Sequence, residues 1–312
     1  MVTLSLVIPA TDRRPTLTRA LAAVDRAQAR PEEMIVVDRP SALGPAAARN
    51  LGARRATGDV LVFVDADIEV HEDAFARIRD VFESDAELSA VFGSYDDDPA
   101  AGGIVSDFRN LLHHHVHHEG AGPATTFWSG LGAVRRDVFL RLGGFDESLA
   151  WIEDIELGMR MSAEGGKIVL DPAIRGKHLK HWTLFSMIRT DLLGRGVPWL
   201  RLLLEDRSHS TTLNLGWRHR VGTAASVALV AALARRNTRL AASLLALLVV
   251  LDLRFHGLLF RRRGARMVVA GVPLHVVHRL TAATAVPVAL TAHVLGKAGA
   301  SRRGRQERRP RR

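Results

Sequence analysis

The sequence predicts an α/β protein: a mostly parallel sheet flanked by helices, followed by a helical, apolar C-terminal region. Three observations predict it. Short apolar runs rich in β-branched residues alternate with Ala-rich stretches of helical spacing, the pattern of parallel strands joined by crossover helices. Asp residues stand at or just beyond the ends of those runs, where ligands of such sheets bind. The charge is also split along the chain. Of 43 Lys and Arg residues, nineteen lie beyond Gly216, but only two of the 33 Asp and Glu do.

The elements follow in order. LSLVIPA (4–10) and EMIVVD (33–38) read as strands, with a helix between them in RRPTLTRALAAVDRAQAR. GPAAARNLGARRATG (44–58) is a second helix bracketed by glycines, and DVLVFVDAD is a third strand. LSAVFGSYDDDP is a further strand ending in an acidic turn, and FRNLLHHHVHHEG is helical. TTFWSGLGAVRRDVFLRLGGFDESL holds a strand, a short helix and a Gly-Gly turn; WIEDIELGMRMSAEG is a helix opening on Glu153-Asp154; KIVLDP is another strand. From His181 to about Leu204 the chain reads as helix interrupted near Gly194, Gly196 and Pro198. The N-terminus lacks a basic leader and reads as a strand, so the catalytic part is expected in the cytoplasm. With no cysteine, disulfides and thiolate metal sites are excluded.

Three constellations carry chemistry. Asp12, Asp38 and the pair Asp65/Asp67 stand at strand ends. One such Asp is commonly a turn or cap residue; all together they suggest a site. A D-x-D at a strand-to-loop corner can hold a hard divalent cation, Mg2+ or Mn2+, with substrate phosphates completing the shell. Glu153-Asp154 can complement a helix dipole or supply a general base. RGKHLKHW (175–182) can be a solvated basic turn, or one of its histidines can complete the metal shell. In HHHVHH (113–118) the i,i+4 pairs permit a second metal site; an acceptor-side helix facing both cleft and solvent is the other reading.

LVIPATDRRPTL, IVVD, GPAAARNLGARRATGDVLVFVDAD, FWSGLGAVRRDVFLRLGGFDE and WIEDIELGMRM, in that order, resemble a family 2 glycosyltransferase of the GT-A fold over roughly residues 3–205. The resemblance implies a nucleotide-sugar donor, a divalent metal and inversion at the anomeric carbon. It would put Pro9, Ala10, Asp12, Asp38, Arg49, Asn50, Asp65 and Ala66 around the nucleotide sugar and Asp67 with His178 on the metal, His181 being the alternative. Ser129, Gly130, Glu153 and Trp182 would border the sugar and acceptor pocket, and Asp154 would be the general base. Two departures stand out: Thr11-Asp12 replaces the aromatic and Asn many members carry there, and HLKHW keeps only the Trp182 end of the Gln-x-x-Arg-Trp block of processive members. A non-processive enzyme is implied.

Beyond Gly216 the apolar runs 221–234 and 240–253 are divided by RRNTR, and each is shorter than the roughly 20 residues of a straight span. The run 267–296 is longer but interrupted by His275, His278 and Arg279. Basic segments favour the cytoplasmic side and an anionic membrane surface. The expected organisation is a catalytic domain (1–216), a membrane-associated helical region (217–296) with the first two runs as a hairpin and the third in the interface, and a basic disordered tail (297–312). That organisation suits a lipid-linked or membrane-borne acceptor, or a cell-envelope glycan, handled at the cytoplasmic face of the cell membrane. Nucleic-acid binding by the Arg-rich tail would explain none of the Asp sites. A nucleotidyltransferase would open on a Gly-rich phosphate loop, which VIPATDRRP lacks. An inactive nucleotide-sugar-binding scaffold is the remaining alternative.

Overall fold

The computed structural model describes residues 1–12, 15–41, 43–206 and 216–307. Strands β1 (Leu4–Pro9), β2 (Glu33–Val37) and β3 (Val60–Val64) are parallel neighbours, linked by helices α1 (Leu17–Arg26) and α2 (Pro45–Arg55). β3 is VLVFV and is buried on both faces, which is why it reads as an unbroken apolar run rather than an alternation. Its side chains still alternate: Val62 and Val64 enter the core under α1 and the next helix, α3 (Ala74–Ser84), while Leu61 and Phe63 enter the opposite core. α2 starts with Pro45 in its first turn, where the missing N–H costs nothing.

The rest of the sheet is built by β4 (Ile68–Val70), β5 (Leu88–Tyr95), β6 (Gly122–Ala124), β7 (Leu131–Arg135) and β8 (Lys167–His178). The order is β2-β1-β3-β7-β5-β8-β4, with β6 also on β8. The sheet is mixed, since β7 runs antiparallel to both β3 and β5. Helices α4 (Ile104–Glu119), α5 (Arg136–Arg141) and α6 (Glu153–Ala163) complete the domain, and Phe63, Phe139 and Phe145 interlock beneath α2 and α5 with ring centroids 5.2–5.5 Å apart.

Two features were not foreseen. β8 continues six residues past KIVLDP to His178. β4, three residues long, pairs antiparallel with that extension, and its first residue, Ile68, stands opposite His178. The D-x-D corner is thereby pinned beside a histidine more than a hundred residues later in the chain.

α6 presses on the segment before β7 through Gly158, where a Cβ would stand 2.2 Å from the Phe127 backbone nitrogen. Gly158→Ala is expected to cost about 1–3 kcal/mol of stability through this overpacking, read as a lower midpoint in a denaturant titration. An unchanged midpoint would mean that α6 can move away freely.

After β8 come α7 (Leu184–Arg189), a π-helical segment (Thr190–Gly196) and α8 (Val197–Asp206). The interruption expected near Gly194, Gly196 and Pro198 takes the form of a change in winding: α geometry gives way to π over Thr190–Gly196 and returns at Val197, and the backbone stays helical throughout. In α geometry the Pro198 ring would strike the carbonyl of Gly194; the wider π turn removes that conflict. α9 (Trp217–Ala234) and α10 (Thr238–Leu251) pack as a helical hairpin across Arg235–Asn237, and Asn237 caps α10 by accepting from the Leu240 N–H at 3.1 Å. α11 (Leu253–Glu307) bends at Gly264, whose φ of 75° only glycine adopts readily.

The polar residues of the third apolar run face inward. Arg279 is buried and pairs with Asp252 at 2.8 Å, and the His278 ring lies 2.8 Å from Asp191 of the π segment. Part of the C-terminal positive charge is likewise used inside the molecule: Arg254 pairs with Glu119, Arg262 with Asp97, and Arg263 with Asp107 and Asp98. The hydrophobic joint between the two parts is Phe108, Leu111, Trp182 and Met187 against Phe255, Leu259 and Met267. Among the described residues one helix, over Leu253–Leu295, is long and apolar enough to cross a membrane by length and composition. The side chains of the basic tail at 297–312 lie outside the described residues.

Candidate functional site

A cleft of about 1750 Å³ opens at the carboxyl ends of β1 and β3. At one end it is lined by Pro9, Thr11, Asp12, Asp65, Ala66 and Asp67; Ser129, Glu153 and Asp154 face them, and His178 and Trp182 continue the wall. Four expected residues do not line it. Asp38 is exposed beyond β2. Ala10 is buried, its N–H bonded to the Val37 carbonyl. Gly130 accepts the Asp65 N–H through its carbonyl at 3.0 Å and so holds the strand end from behind. Asn50 fastens the turn after the Gly-Gly pair: its amide donates to the Phe145 carbonyl at 2.8 Å and accepts the Phe145 N–H at 2.9 Å. That turn needs Gly143 and Gly144 at positive φ.

Arg49 ties three elements together. From the buried face of α2 it donates to Asp65 and to Glu153, each at 2.6 Å. Burial opposes its charge, but the two carboxylates outweigh that and hold the guanidinium firmly protonated. Burial drives Glu153 above the usual carboxylate range, with the Asp154 charge adding to it, although Arg49 pulls the other way. The strand end therefore carries one buried cation between two carboxylates. Just before Glu153, Ile152 sits at φ 60°, ψ 17°, a left-handed conformation unusual for a β-branched residue. It turns the chain so that Glu153 and Asp154 open α6 toward the cleft.

Asp154 accepts on both oxygens. Oδ2 receives the Ser129 N–H at 3.1 Å and the Ser129 hydroxyl at 3.3 Å, and Oδ1 receives the Ile155 N–H at 2.8 Å. The carboxylate is thus fixed in orientation.

Asp67 is buried, and its carboxylate oxygen lies 3.8 Å from the Nε2 of His178. That gap is too long for a hydrogen bond and short enough for one divalent cation to touch both donors. The His178 ring is set by two contacts. Its Nδ1 lies 2.6 Å from the Oδ1 of Asn110, and its face stacks on Tyr95 with centroids 4.2 Å apart. An amide oxygen only accepts, so Nδ1 carries a proton; in the neutral ring Nε2 then presents its lone pair, the second-sphere arrangement typical of histidine ligands. Among the described residues no third metal-capable side chain joins Asp67 and His178. A cation held there would keep positions open for diphosphate oxygens and water, as Mg2+-type sites do.

The histidine run forms a wall. His113 stacks between Tyr95 and His117, and both imidazoles border Trp128. His117 donates its Nδ1–H to the Gly93 carbonyl at 2.9 Å. Burial pushes His117 down to about 4 and His113 well below the ordinary imidazole value, so both are neutral at pH 7. The i,i+4 pairs stack ring on ring, and no group of three metal-capable residues forms among the described residues.

Sequence reading missed Tyr95, Asn110 and Trp128. Tyr95 is the only tyrosine of the chain and ends β5, a signal that was available. Asn110 carries none, because its partner is 68 residues away.

Residues 22–143, from α1 through the Gly-Gly turn, match the profile of Glycosyl transferase family 2. Over these residues the chain is similar to that family. The chain is similar in fold to a mannosyltransferase of Pyrobaculum calidifontis solved with GDP-Man and Mn2+: TM-score 0.53, 17% identity, 87% of this chain and 86% of that one. GalNAc-T7 solved with UDP, GalNAc and Mn2+ matches at TM-score 0.46 and 18% identity, over 67% of this chain and 52% of that chain.

Proposed function

We propose that the protein transfers a sugar from a nucleotide-sugar donor to an acceptor hydroxyl with inversion, in a divalent-metal-dependent reaction. The observation that carries this reading is the convergence on one cleft of the Asp65/Asp67 strand end, the oriented His178 ring and, opposite them, the oriented Asp154 carboxylate. Asp67 and His178 would hold Mn2+ or Mg2+, which when bound would neutralise charge on the departing diphosphate. Pro9, Thr11 and Asp12 border the nucleotide end, and Arg49 keeps Asp65 in place. Asp154 takes the proton of the acceptor hydroxyl as that oxygen bonds to the anomeric carbon. The bond from that carbon to the phosphate oxygen breaks on the opposite face, and its electron pair leaves with the nucleoside diphosphate. The ribose or base contact expected of Asp38, and nucleotide contacts from Ala10 and Asn50, have no support in the cleft lining.

The acceptor is proposed to be membrane-borne, at the cytoplasmic face. Supporting this, many large apolar side chains beyond Gly216 stand exposed on α9, α10 and α11, Val230, Leu247, Val250 and Leu290 among them, an extent of apolar surface that marks interaction sites.

Calorimetry with UDP, GDP and dTDP, with and without Mn2+, tests the donor site on the full-length wild type and Asp67→Ala. One nucleotide is expected to bind in a Mn2+-dependent way, and Asp67→Ala is expected to weaken it at least about tenfold, the loss of one charged contact. No binding of any of the three by folded protein would overturn the reading.

A further inference from the structure

The cleft extends past the catalytic residues. Beyond Trp182 it runs between the π segment, α8, α9 and the far half of α11, walled by Trp199, Leu200, Leu203, Ala224, Ala283 and Val286. Its described lining there holds one carboxylate, Asp191, already paired with Arg109 at 2.8 Å and with His278. Two further cations, Arg195 and Arg220, join the same wall, so this stretch is apolar in surface and positive in charge. Arg195 lies at the inner end, close enough for its charge to act on His113, His117 and Asp191. The outer rim is open: Leu204 and Val286 are 38% and 45% exposed, and the surface continues onto the bare apolar faces of α9 and α11.

We propose that this extension binds the acceptor as a phosphate-linked glycolipid. The hydrocarbon chain lies between α8, α9 and α11, the phosphate sits at Arg195, and the sugar rests against His113 and Trp128 with its hydroxyl toward Asp154. The inference rests on the glycosyl-transfer reading and names its acceptor class. Three features of the cleft match the three parts of such a molecule. Neutral imidazole and indole faces suit a sugar ring; a guanidinium suits a phosphate; a groove of Leu, Ala and Val walls suits a chain, with affinity rising roughly fourfold per buried methylene. The groove's open rim on the apolar faces gives a chain a route in without crossing water.

Octyl, decyl and dodecyl phosphate, below their micelle concentrations, are titrated onto full-length protein in amphipol, with Trp fluorescence as readout. Inorganic phosphate and decanol are the controls. Affinity is expected to climb with chain length and to exceed that for inorganic phosphate. Arg195→Gln is expected to weaken decyl phosphate about tenfold and decanol not at all. Ala224→Trp, on the exposed wall, is expected to weaken both. Two results would overturn the proposal: decyl phosphate binding no better than inorganic phosphate, or both variants binding it like wild type, the sign of partition onto the outer apolar faces. Nucleoside diphosphate binding in the same samples separates the two questions. Its retention without selectivity for alkyl phosphate removes the glycolipid and leaves glycosyl transfer standing.

Discussion

Asp154→Asn is expected to lower kcat about 10³-fold while leaving Mn2+-dependent nucleotide binding near wild type. A positioned general base contributes within the range of 10²–10⁴, and the asparagine oxygen can still accept from the Ser129 or Ile155 N–H while losing the ability to take a proton. The change acts on the reacting proton alone, so the donor KM should hold. Steady-state kinetics with calorimetry on the same samples checks it. Turnover near wild type would remove Asp154 from the base role and favour a scaffold.

Arg49→Met should destabilise the protein by about 3–5 kcal/mol at pH 7, the usual result of removing one partner from a buried ion pair. It leaves Asp65 and Glu153 facing each other without the cation that both now hold at 2.6 Å. The pH dependence follows from Glu153, whose pKa in the folded protein is already raised by burial. A raised carboxylate binds its proton more readily folded than unfolded. Stability therefore falls as pH rises through the interval between the unfolded and folded values, and is recovered on acidification. The variant widens that interval, so its deficit should shrink between pH 7 and pH 5 more than that of wild type changes. Denaturant titrations at both values measure this; a deficit independent of pH would mean that the loss is one of packing alone.

The first three strands were legible because their signals are local, whereas the antiparallel pairings of β4, β6 and β7 were not. β1 and β3 are short apolar runs that end in Asp or just before it, and Pro45 and Gly44 announce α2 without knowledge of any partner. The carboxylates of the cleft were legible for the same reason. What holds them was not. Asn50 and Arg49 are adjacent in sequence, yet one fastens a distant turn while the other joins two carboxylates, a division decided by which side of α2 each occupies. His178 was preferred to His181 only through resemblance, because its place opposite Ile68 depends on a three-residue strand too short to show a period. The C-terminal basic residues read as outward-facing, since composition does not reveal that Arg254, Arg262 and Arg263 have acidic partners on the strand-bearing part of the chain.

The seven-residue π segment between α7 and α8 amounts to one extra residue inserted into an otherwise continuous helix. Deleting a single residue there, with Pro198 also replaced, would let the helix close up in α form, since one residue is what separates the two windings and the proline is what resists the tighter one. Chain length at this point, as well as the presence of Arg195, then bears on whether a guanidinium lines the cleft. A variant shortened by one residue in this turn is expected to keep the Asp65/Asp67 end of the cleft unchanged while differing in what its far end admits.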